Sequence, residues 1–268
     1  MGVRWRGTRF DRYFDLMRLL VDGRPTDVVR STEEAELLDE ALVQASQLAQ
    51  ATALIATVDR VVLARKLSAT MNGPDLQPID SSDDMPRNVL FELSVGATFL
   101  DHGFSVSMTE EDEDLVVRHV NVPRLLVVEC KRPAVSNGPS VIAAFDRNLK
   151  RACRQLRERN LAARGAAGVV VLGMDRVYGV ARRRVSAATS GALAAAVQTA
   201  LTEGAASARR RIAASGYSQH VAFGALAFLG LGLAADEQVL YELRSMRLFR
   251  AGASKSLATG LASAFGVL

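Results

Sequence analysis

The chain has few of the residues that would indicate a secreted or zinc-binding protein. Its 268 residues include only two cysteines, Cys130 and Cys153, which is too few for a disulfide framework. No CxxC or His-x-x-x-His spacing offers a zinc site. We therefore expect a reducing, cytoplasmic location. Residues 1–11 precede no apolar segment of the kind found in signal peptides, so we expect no secretory signal.

Long apolar runs and aromatic residues are also scarce. The longest apolar run, residues 221–235, has 15 residues and contains three glycines. Because a membrane-spanning helix needs roughly 20 residues, this run predicts one or two buried strands and no membrane partner. Aromatic residues make up 6% of the chain, with Trp5 as its single tryptophan, so stacking platforms for single-stranded bases are not evident. The absence of a GxxxxGK[ST] motif argues against ATP-driven translocation.

The composition is that of a folded globular protein, with 49% apolar residues, 23% charged residues and 7 prolines. The net charge of +4 is too small to indicate a nucleic-acid binder by itself. Apolar residues recur at helical spacing over residues 10–71, and Ser31 with Glu34 forms a capping box that predicts a helix beginning near Thr32. Residues 72–86 are rich in turn-forming residues. We therefore predict a helical N-terminal segment (1–80) and a second domain (81–268).

The order of elements after this boundary predicts an α/β fold. The patterns read helix, strand, strand, strand, helix, strand over residues 87–102, 104–108, 115–120, 125–131, 142–163 and 168–173. Three consecutive strands and a crossover helix favour a mixed central β-sheet flanked by helices. Further on, the sequence predicts a helix, two strands and a terminal helix at residues 191–215, 221–233, 239–248 and 255–268.

An acidic and a basic residue close the predicted strand at residues 125–131. Because side chains alternate between the faces of a strand, Glu129 and Lys131 share one face and Cys130 lies on the other. Asp114 opens the preceding apolar run, so it reaches the same place if the two strands are neighbours. Two carboxylates and the backbone carbonyl of Cys130 are the hard oxygen ligands that Mg²⁺ and Mn²⁺ prefer. The sequence therefore predicts a small divalent-cation site at this end of the sheet.

This arrangement resembles the PD-(D/E)xK nuclease superfamily, which has the restriction-endonuclease-like fold. The matching pieces lie within residues 88–172 and follow the order of the superfamily. They are a helix with Glu92, three strands at residues 103–106, 113–117 and 126–133, and a helix with Gln155. Glu113 stands where the motif's name has a proline, although many members of the superfamily also lack that proline.

The resemblance implies a metal-dependent phosphodiesterase that acts on nucleic acid, with DNA as the expected substrate. Asp114, Glu129 and the Cys130 carbonyl would bind Mg²⁺ or Mn²⁺. Lys131 would contact the attacking water or the scissile phosphate, and a nearby metal should lower the pKa of this lysine.

The resemblance also implies roles for two helical residues. Glu92 would bind a second metal or hold a water molecule, and Gln155 would orient a ligand or the phosphate. Because several members of the superfamily act in larger machines, a homodimer or a defence or repair assembly is compatible with the resemblance.

Plainer interpretations of the same residues stay open. Glu129 and Lys131 could form a weak, exposed ion pair at a solvated strand end. Asp112 and Glu113 compete with Asp114 as the first acid, since residues 110–114 are all acidic. The side chain of Cys130 is expected to be a small core residue. The three isolated histidines are expected to be structural, and they are His102, His119 and His220.

The predicted helix after this strand is strongly basic. Residues 146–164 include seven basic and two acidic residues. Four of the basic residues recur at helical spacing and are the predicted nucleic-acid-binding residues, namely Arg147, Lys150, Arg151 and Arg154. The alternative is a charged, solvated helix face. Residues 182–184 and 209–211 add two arginine clusters whose relation to the site the sequence does not define.

The sequence thus predicts a Mg²⁺-dependent nuclease. The first alternative is a catalytically inactive nucleic-acid-binding or assembly protein of the same fold. The second is a module in which the helices of residues 37–62 bind another protein and the charged clusters serve solubility.

Overall fold

The computed structural model describes residues 3–23, 31–76, 85–108, 114–133, 139–174 and 184–265. Seven α-helices lie in these ranges: α1 (Arg9–Val21), α2 (Thr32–Ala51), α3 (Arg60–Met71), α4 (Met85–Asp101), α5 (Pro139–Glu158), α6 (Ser190–Ala214) and α7 (Lys255–Ala264). The strands are β1 (Ser105–Ser107), β2 (Leu115–Arg118), β3 (Leu125–Lys131), β4 (Ala166–Gly173), β5 (Arg184–Ala187), β6 (Val221–Ala234) and β7 (Val239–Arg250). Short 3₁₀ helices occupy Thr52–Ala56 and Tyr217–Gln219.

The seven strands form one mixed sheet, as predicted. Its order is β1-β2-β3-β4-β6-β5, and β7 pairs with the other side of β6. The β1–β2, β2–β3 and β6–β7 pairs are antiparallel, whereas β3–β4, β4–β6 and β5–β6 are parallel. Because α5 connects β3 to the parallel β4, it is the crossover helix that the sequence predicted.

Helices cover both faces of the sheet. Leu126, Val128 and Cys130 of β3 pack in one hydrophobic cluster with residues of α3, α4 and α7. Val127, on the opposite face, packs in a second cluster with α5 and α6. This alternation places the side chains of β3 as its sequence predicted. No helix in the part of the chain that the structure describes is long and apolar enough to cross a lipid bilayer.

The N-terminal helices pack against this core. Helix α2 begins at Thr32, where the Glu34 backbone N–H donates to Ser31 Oγ at 3.2 Å, as the capping box predicted. Leu54 and Leu63 belong to the same cluster as the sheet, and Leu37 is buried in a third cluster. These apolar side chains are therefore used inside the molecule, which weakens the alternative in which they bind another protein. The boundary predicted near residue 80 lies outside the described residues and stays a prediction.

The C-terminal half shows one strand that the sequence did not predict. The apolar run at residues 221–235 forms one long strand, β6, which ends at Ala234. The first half of β6 pairs with β4, and its second half pairs with the unpredicted β5. Strand β5 has four residues and one β-branched side chain, Val185, so its own sequence indicates a strand only weakly. Gly224 of β6 is required by packing, because a Cβ there would overlap the ring of Phe249 on β7.

Candidate functional site

The antiparallel pairing of β2 and β3 brings the predicted site residues together. Leu115 pairs with Val128, so Asp114, just before β2, lies beside the end of β3. The backbone N–H of Cys130 donates to Asp114 Oδ2 at 2.6 Å and fixes this carboxylate against the strand. The prediction that these two strands are neighbours in the sheet is therefore confirmed. Asp112 and Glu113, the competing acids, lie outside the described residues.

Three predicted ligand atoms surround one cationic centre. Lys131 Nζ lies 2.9 Å from Glu129 Oε2, 3.0 Å from the Cys130 carbonyl oxygen and 3.5 Å from Asp114 Oδ2. The lysine side chain is only 14% exposed. The ammonium therefore occupies a position at which the oxygens proposed as metal ligands converge.

Glu129 is completely buried, with a side-chain exposure of 0%. Its Oε2 accepts from Lys131, and its Oε1 contacts the guanidinium of Arg159. The interpretation as a solvated strand end does not fit this burial. Sequence reasoning counted Arg159 only as part of the basic segment, because its position depends on the turn after α5, where Asn160 has a φ of 47°.

The buried charged groups shift one another's pKa values. Burial, together with the neighbouring Asp114, raises the pKa of Glu129, although Lys131 and Arg159 offset part of the rise. Burial alone would lower the pKa of Lys131, but Asp114 and Glu129 outweigh it and raise that pKa above its usual value. Lys131 is therefore an ammonium at neutral pH. The predicted fall of its pKa depends on a bound metal and stays a prediction.

Glu92 approaches the same site from α4. Burial and then the charge of Asp114 raise the pKa of Glu92, whereas Lys66 and Lys131 lower it. Lys66 Nζ, on α3, donates to Glu92 Oε2 at 2.8 Å, and the two side chains are 19% and 15% exposed. Sequence reasoning missed Lys66, since a lysine on a helix surface gives no signal of its partner.

A cleft of about 690 Å³ opens beside these residues. Helix α4 contributes Glu92, the strand ends contribute Asp114 and Lys131, and α5 contributes Gln155. The Oε1 atom of Gln155 is buried and has no hydrogen-bond partner among the residues described. It is therefore available to a ligand or to a water molecule in the cleft, which agrees with the position that the resemblance implied.

The four predicted nucleic-acid-binding residues have separate surroundings. Arg147 and Arg151 are exposed and line the cleft. Lys150 is exposed and lines a smaller cavity next to α6. Arg154 is exposed and lies 3.8 Å from Glu158. Successive residues of a helix are rotated by about 100°, so Lys150 and Arg151 lie on opposite sides of Arg147 around the helix axis. Helical spacing alone therefore did not identify which of these residues share the cleft.

The remaining candidates have structural positions. The Cys130 side chain is in the core, as predicted, and burial raises the pKa of its thiol well above the usual value. His102 Nδ1 donates to the Thr98 carbonyl at 2.8 Å. His119 Nδ1 accepts from the Asn121 N–H at 3.1 Å. Neither His102 nor His119 lines the cleft.

The donor set fits a hard divalent cation. Asp114 and Glu129 offer carboxylate oxygens and Cys130 offers a carbonyl oxygen, and Mg²⁺ commonly completes its coordination with water. Within the ranges that the structure covers, no group of three or more His, Cys, Asp and Glu side chains is placed to hold an ion. The carbonyl and water would therefore have to supply the other ligands.

No family model, curated protein or solved structure matches the chain. The resemblance to the nuclease superfamily consequently depends on the motif and on the site geometry.

Proposed function

We propose that the chain is a metal-dependent nuclease with a restriction-endonuclease-like core, and that it hydrolyses phosphodiester bonds of nucleic acid, with DNA as the expected substrate. One observation carries the proposal: Asp114 Oδ2, Glu129 Oε2 and the Cys130 carbonyl all lie within 3.5 Å of Lys131 Nζ. Oxygens that surround one ammonium are also arranged to surround one metal cation. The cytoplasmic location and a homodimeric or larger assembly stay predictions.

In this proposal Asp114, Glu129 and the Cys130 carbonyl hold Mg²⁺ or Mn²⁺. When bound, the cation would neutralise the charge that develops on the phosphate and would lower the pKa of a water molecule bound to it. With the cation on these oxygens, the Lys131 ammonium would move off them to lie beside the reacting phosphate, where it stabilises negative charge or orients the nucleophile. Arg159 stabilises the buried charge of Glu129.

The cleft supports a polyanionic substrate. Arg147 and Arg151 have exposed guanidinium groups on its wall, and Asn148 lies between them in the chain. Arginines of this kind contact phosphate oxygens without reading base sequence. Gln155 and Glu92 lie deeper, beside the strand ends, where they can orient a phosphate or a water molecule.

The test is cleavage of supercoiled plasmid with Mg²⁺ or Mn²⁺. The wild-type protein should nick or cut the plasmid, and both Asp114→Ala and Lys131→Ala should abolish cleavage. Lys255→Ala is the matched control, because Lys255 is exposed at the start of α7. Cleavage that persists in both site variants would refute the assignment.

A second candidate is a nucleic-acid-binding protein without catalysis. The observation that favours it is the close contact of the Lys131 ammonium with both carboxylates, which neutralises them without a metal. This candidate predicts that DNA binding needs no divalent cation, and that no cleavage product forms at any metal concentration.

A further inference from the structure

A second basic concavity lies at the opposite end of the strands from the candidate site. Its volume is about 700 Å³, and its basic lining residues are Arg118, His119, Arg124 and Arg164. No Asp or Glu is among the described residues that line it. It is formed where β2 ends and where β3 and β4 begin, since Leu125 of β3 pairs with Ala166 of β4.

Arg118 and Arg124 present their charge to solvent in this concavity. Arg118, Arg124 and Arg164 are exposed. In the described part of the chain, neither Arg118 nor Arg124 has an ion-pair or hydrogen-bond partner for its side chain. His119 Nδ1 accepts a backbone N–H, so the neutral ring carries its proton on Nε2 as a further donor. Several donors without acids favour a phosphate ligand.

An open sheet surface connects this concavity to the candidate site. Ser105, Ser107 and Arg118 are exposed, and Ser105 pairs with Arg118 across the β1–β2 ladder. Asp114 lies just before β2 and Arg118 is its last residue. They are four residues apart, which corresponds to about 13 Å of extended chain. Since each strand of a duplex carries one phosphate per 3.4 Å of helix axis, this span corresponds to about four nucleotides.

We propose that Arg118 and Arg124 form a second phosphate-binding subsite that holds the nucleic-acid backbone about four nucleotides from the cleft. This inference rests on the proposed function for its substrate class and goes beyond it, since it assigns the path of the substrate. The substrate backbone runs from Arg147 and Arg151, across the open face of β1 and β2, to the concavity. The contacts are to phosphates and carry no sequence preference.

The test is fluorescence anisotropy with a labelled 20-base-pair duplex in EDTA, where binding is measured without cleavage. Arg118→Gln with Arg124→Gln should weaken binding roughly tenfold or more at moderate salt and reduce the slope of log affinity against log salt by about two. Arg118→Lys with Arg124→Lys should keep most of the affinity. The control pair, Arg209→Gln with Arg210→Gln on α6, removes the same charge from exposed positions elsewhere.

The outcomes separate this inference from the proposed nuclease activity. Loss of binding in the Arg118 and Arg124 pair, with no plasmid cleavage by the wild-type protein, supports the subsite and refutes the catalysis. If the wild-type protein cleaves the plasmid but the Arg118 and Arg124 glutamine pair binds the duplex as tightly as the wild type, the subsite is refuted and the nuclease proposal is not. Equal losses in the two glutamine pairs, or a wild-type protein that binds poly-glutamate but not the duplex, also overturn it. Thermal melts establish that each variant is folded.

Discussion

Replacing Lys131 by methionine is expected to strengthen divalent-cation binding while it abolishes cleavage. The ammonium lies 2.9 Å and 3.5 Å from carboxylate oxygens of Glu129 and Asp114. At an effective dielectric constant of about 20, each of these attractions is roughly 5 kcal/mol before desolvation is subtracted. A cation bound by the same oxygens competes with the ammonium for them. Even if most of that energy is offset by desolvation, a gain of about 1.4 kcal/mol gives tenfold tighter binding.

The assay is a titration of each protein with Mn²⁺ in which binding is measured by calorimetry. Without added cation, Lys131→Met should also unfold at a lower urea concentration, because removing one partner of a buried ion pair costs about 3–5 kcal/mol. Mn²⁺ should restore part of this loss, since ligands that bind only the folded state stabilise it. The control is Lys255→Met, which should change neither quantity. Unchanged or weaker Mn²⁺ binding in Lys131→Met would show that the ion and the ammonium do not share oxygens.

Three further predictions concern single residues. Lys66→Met should lower the cleavage rate, because Glu92 loses its ion-pair partner at 2.8 Å, and Lys66→Arg should retain more of the rate in the plasmid assay. Arg87→Met should lower the free energy of unfolding by about 3–5 kcal/mol in urea, because the buried Glu40 carboxylate loses the guanidinium that neutralises its charge. The exposed Arg12→Met, which removes a surface ion pair, should cost less than about 1 kcal/mol. Burial raises the pKa of Cys153 to about 12, so the folded state binds a proton that the unfolded thiol loses above pH 9. The stability that this thiol contributes is thus present below pH 9 and falls by up to about 1.4 kcal/mol per pH unit above it. Because the buried Cys130 thiol also has a raised pKa and contributes a slope of its own, Cys153→Ala should show a shallower fall in stability above pH 9 than the wild-type protein, and an equal slope in the two proteins would contradict the assignment.

The sequence predicted the parts of the fold that depend on local patterns. The bounds of β3 agree with the prediction, because a continuous apolar run of strand length is followed by Pro133. The alternation of Glu129, Cys130 and Lys131 was predictable for the same reason. Strand β5 was missed because a four-residue strand that depends on pairing with β6 has little signal of its own.

Long-range contacts in the site were beyond pattern analysis. Lys66 and Glu92 are 26 residues apart, and their contact requires the packing of α3 against α4. Arg159 reaches Glu129 from a different element, past the end of α5. The chain has many lysines and arginines with similar sequence surroundings, and only the tertiary structure determines which of them makes each contact. From the residue pattern alone, only the members of the site on two adjacent strands could therefore be predicted together, whereas Glu92 and Gln155 were predicted from the resemblance.

The buried charges at the end of β3 are poorly explained by stability alone. A buried carboxylate that is held by two cations loses most of its electrostatic gain to desolvation, and well-packed apolar residues in such positions often stabilise a fold equally well or better. Glu129 has an exposure of 0%, and its partners Lys131 and Arg159 are 14% and 11% exposed. The rest of β3 is apolar, and the charges occur only where the strand meets the cleft. Because perturbed, costly charges of this kind concentrate at functional sites, their location favours a role in chemistry on a charged ligand over a role in folding.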